Sequence, residues 1–490
     1  MNVNLLLPEG QAAPERMLNL SRDALIDDLE LGTLLENISD GDSVVEASLK
    51  RALFAPLHDP KLVEYRHEVL KDVMAHPDEV KSLYALCLEA EKRRRAADYW
   101  KTNYYLTNTF TGAIDYILNF TKTLLSLRQL AEEYQPKFKS EGFLDLFRTL
   151  REELSDEYLN RIRSELGDVH LSDGVFMSAG LDSHLQTVDY QMHRREKKLF
   201  RFDRFKGQSY TLQKGDDDTG TDITNRYNRA INEVTNALAQ SAEYLAAFFD
   251  GLRGQLGFYM GCLGFLRRMQ ELGMPVCIPK VTGADTDSRS YENLYDISLA
   301  FLKKSAVTGN TLDAQHKKLY IVTGANKGGK TTFLRSVGQA QIMAQCGMPV
   351  AAADCTVPIR GSLFTHFKRE EDKWMKSGKL DEELERMSRI ADYLHPGDML
   401  MFNEAFSSTN EREGSEIARQ ITDALTESGV EVFFVSHQHA YASAYQGRTD
   451  VQFLRAERLD DGSRTFRLLP GEPLETAYGE DLYKRIFGET

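Results

Sequence analysis

Cysteine is scarce in this chain of 490 residues, and the cysteines it has are scattered. There are five, with no CxxC pair and no zinc-ligand spacing: Cys87, Cys262, Cys277, Cys346 and Cys355. Zinc modules and disulfide-rich secreted domains need closely spaced cysteines. The pattern argues against both classes and predicts structural thiols in a reducing compartment.

Long apolar runs and an excess of basic residues are also missing. No stretch approaches the ~18 apolar residues of a membrane span, and the opening MNVNLLLPEG carries no basic leader. We therefore expect a cytoplasmic protein without a membrane partner. The formal net charge of −14 excludes a chain that coats nucleic acid through its overall charge. Any DNA contact must use local basic patches.

The pattern of apolar residues divides the chain into two halves. Up to about residue 285 these residues recur at three- and four-residue intervals, which is typical of packed helices. From about residue 290, apolar strand-like runs alternate with helical segments, which indicates a parallel sheet covered by helices. We predict a mainly helical core or lever domain at 1–285 and an α/β domain at 286–490.

Three segments of the helical half differ from their surroundings. Residues 175–181 are predicted as a short strand and residues 206–222 as a polar loop. Residues 227–272 are predicted as one extended helix or two in series. Either a neighbouring backbone packs closely against its regularly spaced glycines or the helix bends there. These glycines are Gly251, Gly254, Gly257, Gly261 and Gly264.

Two stretches are densely basic, residues 92–95 and residues 194–206. In the second, phenylalanines alternate with basic residues, which fits a DNA-binding patch or a strand with one buried and one solvated face. We favour the strand. Such a patch would bind phosphates without reading sequence.

The strongest motif is GANKGGKT at residues 324–331. It has the spacing GxxxxGK[ST] between an apolar strand and a helical segment, which predicts a phosphate-binding loop for ATP and Mg²⁺. Gly324, Gly328 and Gly329 let successive N–H groups face phosphate oxygens. Lys330 would reach the β and γ phosphates, and the Thr331 hydroxyl would bind magnesium.

Two further apolar strands end in polar residues. The strand DMLMFNE ends at Asn403 and Glu404, where Asn403 is a candidate magnesium ligand and Glu404 is placed to activate or orient water. The strand EVFFVSH ends at His437, a candidate contact to the γ phosphate. Alternatively, His437 is a structural residue or forms a surface pair with His439.

Together these motifs resemble the ATPase domain of the MutS mismatch-repair family, a branch of the ABC-type ATPases. The family loop GxNxGGK[ST]T is matched by Gly324, Ala325, Asn326, Lys327, Gly328, Gly329, Lys330, Thr331 and Thr332. A Ser-Gly turn at Ser377 and Gly378, a Ser/Thr-rich loop at 407–414 and the closing segment with Tyr478 and Gly479 extend the similarity over about 200 residues.

The resemblance implies an ABC-type ATPase domain after the helical domain. It also implies a homodimer in which Ser377 and Gly378 of one subunit contact ATP bound by the other. The same residues also read as a helix cap, and both roles are compatible. The sequence departs from the family pattern, because we expect it to lack the mismatch-reading and connector domains. In addition, Asn403 stands where an aspartate is usual.

We therefore predict a slow, magnesium-dependent, MutS-like ATPase that couples dimer closure to movement of its helical core. It would grip duplex or branched DNA without reading mismatches. The alternative is a nucleotide switch that hydrolyses little or no ATP and acts on a protein or ribonucleoprotein partner. Asn403 favours the switch, whereas Glu404 and His437 favour turnover.

Overall fold

A computed structural model describes most of the chain. The residues described are 3–12, 14, 19–97, 106–167, 176–193, 217–286, 288–369, 378–459 and 463–474. The basic stretch at 194–206, Ser377 and the closing Tyr478 and Gly479 lie outside these residues.

The first half of the chain is mainly helical, as predicted. Its elements are α1 (Asn19–Asp28), α2 (Leu31–Ile38), α3 (Ser43–Leu53), α4 (Pro60–Ala75), α5 (Pro77–Ala97), α6 (Leu106–Tyr134), α7 (Glu141–Glu153), α8 (Asp156–Gly167), β1 (Phe176–Leu181), β2 (Thr187–His193) and α9 (Asp217–Glu271). Strand β1 confirms the strand predicted at 175–181 and pairs antiparallel with β2.

The second half alternates strands and helices, which was also predicted. Its elements are β3 (Lys280–Thr282), β4 (Ser288–Leu294), α10 (Ile297–Lys303), β5 (Asn310–Gln315), β6 (Leu319–Thr323), α11 (Lys330–Gln345), β7 (Asp354–Pro358), β8 (Leu363–Phe367), α12 (Lys379–Ala391), β9 (Met399–Asn403), α13 (Glu411–Glu427), β10 (Glu431–Val435), α14 (His439–Ser443), β11 (Val451–Arg458) and β12 (Arg464–Pro470). A short 3₁₀ turn lies at Ala284–Thr286.

A six-stranded sheet forms the centre of this half. Its order is β12-β11-β6-β10-β9-β8; the neighbours from β11 to β8 are parallel, and β12 is antiparallel to β11. Strands β6, β8 and β10 are buried at every residue, as expected for parallel strands covered on both faces. The carboxyl ends of β6, β9 and β10 therefore meet at one edge, where ligands of such sheets bind.

A smaller sheet has the order β3-β7-β4-β5 and mixes parallel and antiparallel pairs. Both sheets belong to one compact unit, formed by residues 5–77, 140–142 and 257–490, and a second unit comprises residues 1–4, 78–139 and 143–256. The units are discontinuous along the chain, so no single residue separates them. The functional division near residue 285 stays a prediction.

Helix α9 is one continuous helix, which decides between the two forms predicted for 227–272. Two of its glycines allow close packing. A Cβ at Gly261 would lie 2.6 Å from a methyl carbon of Leu49, and one at Gly264 would lie 2.3 Å from the Ile38 carbonyl oxygen. Close approach of a neighbouring element therefore explains these two glycines.

The predicted loop at 206–222 was wrong in its last part. Residues 217–222 belong to α9, and residues 206–216 lie outside the described part of the chain. Aspartate and threonine are common at helix N-termini as well as in loops, so this polar composition did not distinguish the two.

Among the described residues, no helix is long and apolar enough to cross a bilayer.

A buried ionic cluster lies at the start of β10. This is the opposite end of the strand from the sheet edge where the carboxyl ends of β6, β9 and β10 meet. Glu431 accepts hydrogen bonds from Arg289 (2.6 Å) and Arg360 (3.0 Å), and all three side chains are almost fully buried. Burial opposes ionisation of Glu431, but the two guanidinium groups outweigh it and lower the pKa of its carboxyl group. Arg289 also donates to Gln341 of α11 (2.8 Å), which ties that helix to the cluster.

Replacing Glu431 with glutamine is expected to destabilise this unit by about 3–5 kcal/mol, because two buried guanidinium groups lose their counter-charge. Urea unfolding of the full chain would measure the shift. Glu427→Gln, at an exposed position near the end of α13, is the control and should change the midpoint little. An equal, small shift in both variants would contradict a stabilising role for the cluster.

Candidate nucleotide-binding site

The glycine-rich loop connects the buried strand β6 to α11. Gly324 and Gly329 have φ angles of 117° and 93°, which glycine adopts without strain. A Cβ at either Gly324 or Gly328 would lie 2.8 Å from the Cβ of Ala456 on β11. Both positions therefore require glycine for the loop to lie against the neighbouring strand.

The loop leads directly into the N-terminus of α11. Gly329 is the N-cap residue and offers no side chain to the first turn. The first N–H groups of a helix have no intrahelical partner, and the helix dipole is positive there. This end of α11 is thus suited to an anion such as phosphate.

Lys330 is the buried cation of the loop, with only 4% of its surface exposed. Its Nζ donates hydrogen bonds to the carbonyl oxygens of Gly324 (2.9 Å) and Ala325 (3.2 Å). Burial lowers the pKa of this ammonium group; Glu404 opposes the shift, and Arg464 adds to it. The lysine is therefore held under the loop, beside the helix end that favours anions.

The end of β9 brings an amide and a carboxylate to the same place. The Thr331 hydroxyl donates a hydrogen bond to Asn403 Oδ1 at 3.0 Å, so the two predicted magnesium ligands lie side by side. Glu404 is the next residue after Asn403 and has a φ angle of 54°. Its N–H donates a hydrogen bond to the Val435 carbonyl oxygen at 2.9 Å. A non-glycine residue in this conformation is strained, and such strain is common at functional sites.

A cavity of about 430 Å³ opens above the loop. Its volume is within the range of small-molecule sites. It is lined by Leu299, Lys303, Thr308, Asn310, Asn326, Lys327, Gly328, Gly329, Lys330, Thr331, Thr332, Glu404 and Phe466. The structure thus brings most of the predicted loop residues and Glu404 together around one space.

One wall of the cavity was not predicted from the sequence. It comes from the end of α10, the start of β5 and β12, through Lys303, Asn310 and Phe466. The Lys303 ammonium lies 5.9 Å from the centre of the Phe466 ring, and Asn310 Oδ1 accepts a hydrogen bond from the Leu468 N–H at 2.7 Å. Phe466 has a φ angle of 59° next to an irregular register between β11 and β12. No motif marks these residues in a single sequence.

Other predicted site residues lie apart from the cavity lining. His437 is exposed, two residues beyond the end of β10, and is not among the lining residues. Gly378 is the N-cap of α12 and makes no side-chain capping bond, so a helix does begin at the predicted turn, while capping by Ser377 stays a prediction. The role of Gly378 toward a partner's nucleotide stays a prediction, as does that of Ser377, which lies outside the described residues.

The residues at the edge of the sheet suit magnesium. Mg²⁺ takes oxygen ligands and is usually held by few protein groups together with phosphate oxygens and water. The Thr331 hydroxyl and the Asn403 amide oxygen are adjacent. Thr331 and Glu404 line the cavity, whereas Asn403 is not among its lining residues. The donor set therefore fits this ion.

Comparison with known families matches two parts of the chain. Residues 58–272 match the MutS2 N-terminal domain, and residues 320–469 match MutS domain V. Together these matches span well over half of the chain. Their order agrees with the predicted helical half followed by a MutS-like half, and neither matched region is a mismatch-recognition module.

Individual relatives align over shorter segments. DNA mismatch repair protein MutS 2 of Haloarcula marismortui is 29% identical over 178 residues, which are 36% of this chain and 19% of that protein. Endonuclease MutS2 of Maridesulfovibrio salexigens is 31% identical over 141 residues, or 28% and 18% of the two chains. DNA mismatch repair protein MutS of Desulfitobacterium hafniense is 24% identical over 185 residues, or 37% and 21%.

The aligned segments thus span about a fifth of these relatives' length. The similarity is nevertheless consistent, because two MutS-family models match in the expected order and the individual relatives carry MutS names. The chain belongs to the MutS family.

Proposed function

We propose that this chain binds ATP with magnesium at the cavity above residues 324–331 and hydrolyses it slowly, as a MutS-like ABC-type ATPase with a P-loop. The observation that carries this proposal is the meeting of Lys330, Thr331 and Glu404 around one cavity at the carboxyl edge of a parallel sheet. A buried cation, a hydroxyl and a carboxylate at that edge are the groups that phosphoryl transfer to water requires.

The phosphates would lie against the loop and the start of α11. Lys330 would exchange its bonds to the Gly324 and Ala325 carbonyl oxygens for bonds to phosphate oxygens. Thr331 and Asn403 would hold magnesium, which when bound supplies positive charge to the phosphates. Glu404 would accept a hydrogen bond from the attacking water and orient it.

The nucleoside would extend along the wall formed by Lys303, Asn310 and Phe466. Phe466 is about half exposed, so part of its ring surface can contact a base. His437 would sense the γ phosphate from the end of the neighbouring strand β10. His437 is exposed, so a bound nucleotide or a partner subunit can approach its side chain.

We further propose that two chains form a homodimer, with Ser377 and Gly378 of each completing the site of the other. Closure of the dimer would move the helical half through α9, whose 55 residues run through both compact units. That half would grip duplex or branched DNA without reading mismatches. The matched MutS2 N-terminal domain and the mismatch-repair names of the relatives support this partner class.

One observation favours a second candidate, a nucleotide switch with little hydrolysis that acts on a protein or ribonucleoprotein. Asn403 is neutral at a position beside Thr331 where a carboxylate would attract magnesium more strongly. Weak magnesium binding would slow turnover more than it would weaken ATP binding.

Replacing Asn403 with aspartate tests whether the missing charge limits turnover. An aspartate still accepts the Thr331 hydrogen bond and adds a negative charge, so we expect activity at lower magnesium concentration and equal or faster turnover. ATP hydrolysis measured across a magnesium titration gives both quantities. A clear loss of activity would mean that the site is built around the amide.

The partner class is tested by measuring ATPase rate and oligomer mass with duplex DNA, branched DNA and structured RNA in turn. We expect ATP to favour the dimer and duplex or branched DNA to stimulate hydrolysis. Stimulation by structured RNA alone would overturn the DNA proposal. An unchanged monomer mass at saturating ATP would overturn the dimer.

A further inference from the structure

The segment that follows β9 has an unusual backbone. Glu404 and Phe406 have φ angles of 54° and 57°, so two non-glycine residues in close succession adopt the left-handed conformation. Each such residue costs of the order of 1 kcal/mol or more. The surrounding structure must supply contacts that hold residues 404–408, which we call the Glu404 segment.

The side chain of Glu383 on α12 supplies two of these contacts. Its Oε2 accepts a hydrogen bond from the Phe406 N–H at 2.7 Å, and its Oε1 accepts one from the Ser408 hydroxyl at 3.1 Å. Both carboxylate oxygens therefore bind the Glu404 segment. Hydrogen bonds to a charged acceptor are stronger than those between neutral groups.

A buried histidine joins the same two elements. His366 of β8 is fully buried, and its Nε2 lies 3.1 Å from the Glu383 carbonyl oxygen, to which it donates. Its ring stacks on Phe406, with centroids 5.4 Å apart and planes 26° apart. Burial, reinforced by Arg386, lowers the pKa of His366 to about 4, so the ring is neutral at physiological pH.

Two further contacts fix the segment from its other sides. The Lys368 Nζ donates to the Ser407 hydroxyl at 2.9 Å, and Ser407 in turn donates to the Glu404 carbonyl oxygen at 2.8 Å. These contacts come from the end of β8 and from the segment itself. Glu383 thus joins α12 to the segment through hydrogen bonds to both of its carboxylate oxygens, beside the apolar packing of α12 against Ala405 and Phe406.

We propose that Glu383 is a positioning residue that couples the N-terminus of α12 to Glu404 of the same chain. This inference rests on the proposed function, in which Gly378, the N-cap of α12, faces the nucleotide of the partner subunit. Glu383 lies five positions after Gly378, a rise of about 7.5 Å in a helix. A shift of α12 on occupation of the partner's site is transmitted through Glu383 to the residue that orients water.

Glu383→Ala tests this coupling. The variant loses both hydrogen bonds, and the strained segment can relax away from its working geometry. We expect ATP turnover at saturating ATP to fall about tenfold or more, since small displacements of catalytic groups have effects of this size. The dissociation constant for ATP should stay within about twofold, because Glu383 is not among the residues that line the cavity.

Conservative variants separate positioning from a structural role. Glu383→Gln can still accept from Phe406 and donate to the Ser408 oxygen, so its turnover should lie within about threefold of wild type. Ser408→Ala removes one bond without altering α12 and should lower turnover by a smaller factor than Glu383→Ala. Glu385→Ala, exposed on the same helix, is the matched control and should leave turnover unchanged.

Two outcomes would overturn the coupling. One is equal turnover in Glu383→Ala and Glu385→Ala. The other is that Glu383→Ala lowers ATP affinity and the unfolding temperature as strongly as it lowers turnover. That result would indicate a structural role alone. Lys330→Ala and Glu404→Gln are measured beside them. Wild-type turnover in those two variants would refute the proposed function itself, whereas their inactivity with a fully active Glu383→Ala would refute only the coupling.

Discussion

Lys330→Ala is expected to weaken ATP binding by about a hundredfold or more. The substitution removes the buried cation at the loop, which we expect to form charge-assisted bonds to phosphate oxygens. Losing such bonds costs about 3 kcal/mol or more, which weakens binding by roughly a hundredfold. Titration with a fluorescent ATP analogue in the presence of magnesium would measure the dissociation constant.

The matched control for this variant is Lys318→Ala. Lys318 is an exposed lysine just before β6, at the end of that strand opposite the loop. Its removal changes the net charge by the same amount, so the control separates a local effect from a general loss of positive charge. Equal affinities in the wild type and Lys330→Ala would show that the loop does not hold the phosphates.

Glu404→Gln is expected to have the second large effect, and it should act on turnover rather than binding. Glutamine keeps the shape of the side chain but is a poor base, so activation of water is lost. General-base contributions of this kind amount to about 10²–10⁴ in rate. The affinity for ATP should change little because Lys330 and the start of α11 are intact.

Because Glu404→Gln should retain ATP without hydrolysing it, we also expect the closed dimer to accumulate. The accumulation would be visible as an increase in oligomer mass at saturating ATP. Glu427→Gln, exposed near the far end of α13, serves as the control for removing a carboxylate. Turnover in Glu404→Gln close to that of the wild type would assign the water-orienting role to a different residue.

The sequence predicted the part of the site that local patterns encode. A phosphate loop has a fixed glycine spacing between a buried strand and a helix, and residues 324–331 show it. The two following strands were also predicted, although the strand predicted to end at His437 ends at Val435. Strand ends of a parallel sheet share one edge. The proximity of Thr331, Asn403 and Glu404 followed from that rule and is confirmed by the structure.

The rest of the site depends on contacts that no local pattern records. Lys303, Asn310 and Phe466 come from three separate elements, and they meet only because β12 pairs with β11 beside the loop. Glu383 reads in the sequence as one of several acidic residues on an amphipathic helix. Its two bonds to the Glu404 segment depend on the left-handed backbone there, which composition does not predict.

The division of the chain shows the same limit at a larger scale. Helical periodicity predicted the first 285 residues as helical, and the elements there are mainly helices. Residues 5–77 nevertheless cluster with the sheets in one compact unit. Periodicity reports which face of a helix is buried but not which neighbour buries it, so such an assignment requires the structure.

The central claim is that residues 324–331 and Glu404 form a site for ATP hydrolysis. Turnover of radiolabelled ATP by the wild type, Lys330→Ala and Glu404→Gln tests it most directly. We predict slow, magnesium-dependent release of phosphate by the wild type and none above background by either variant. Equal rates in all three proteins would contradict this assignment of the site.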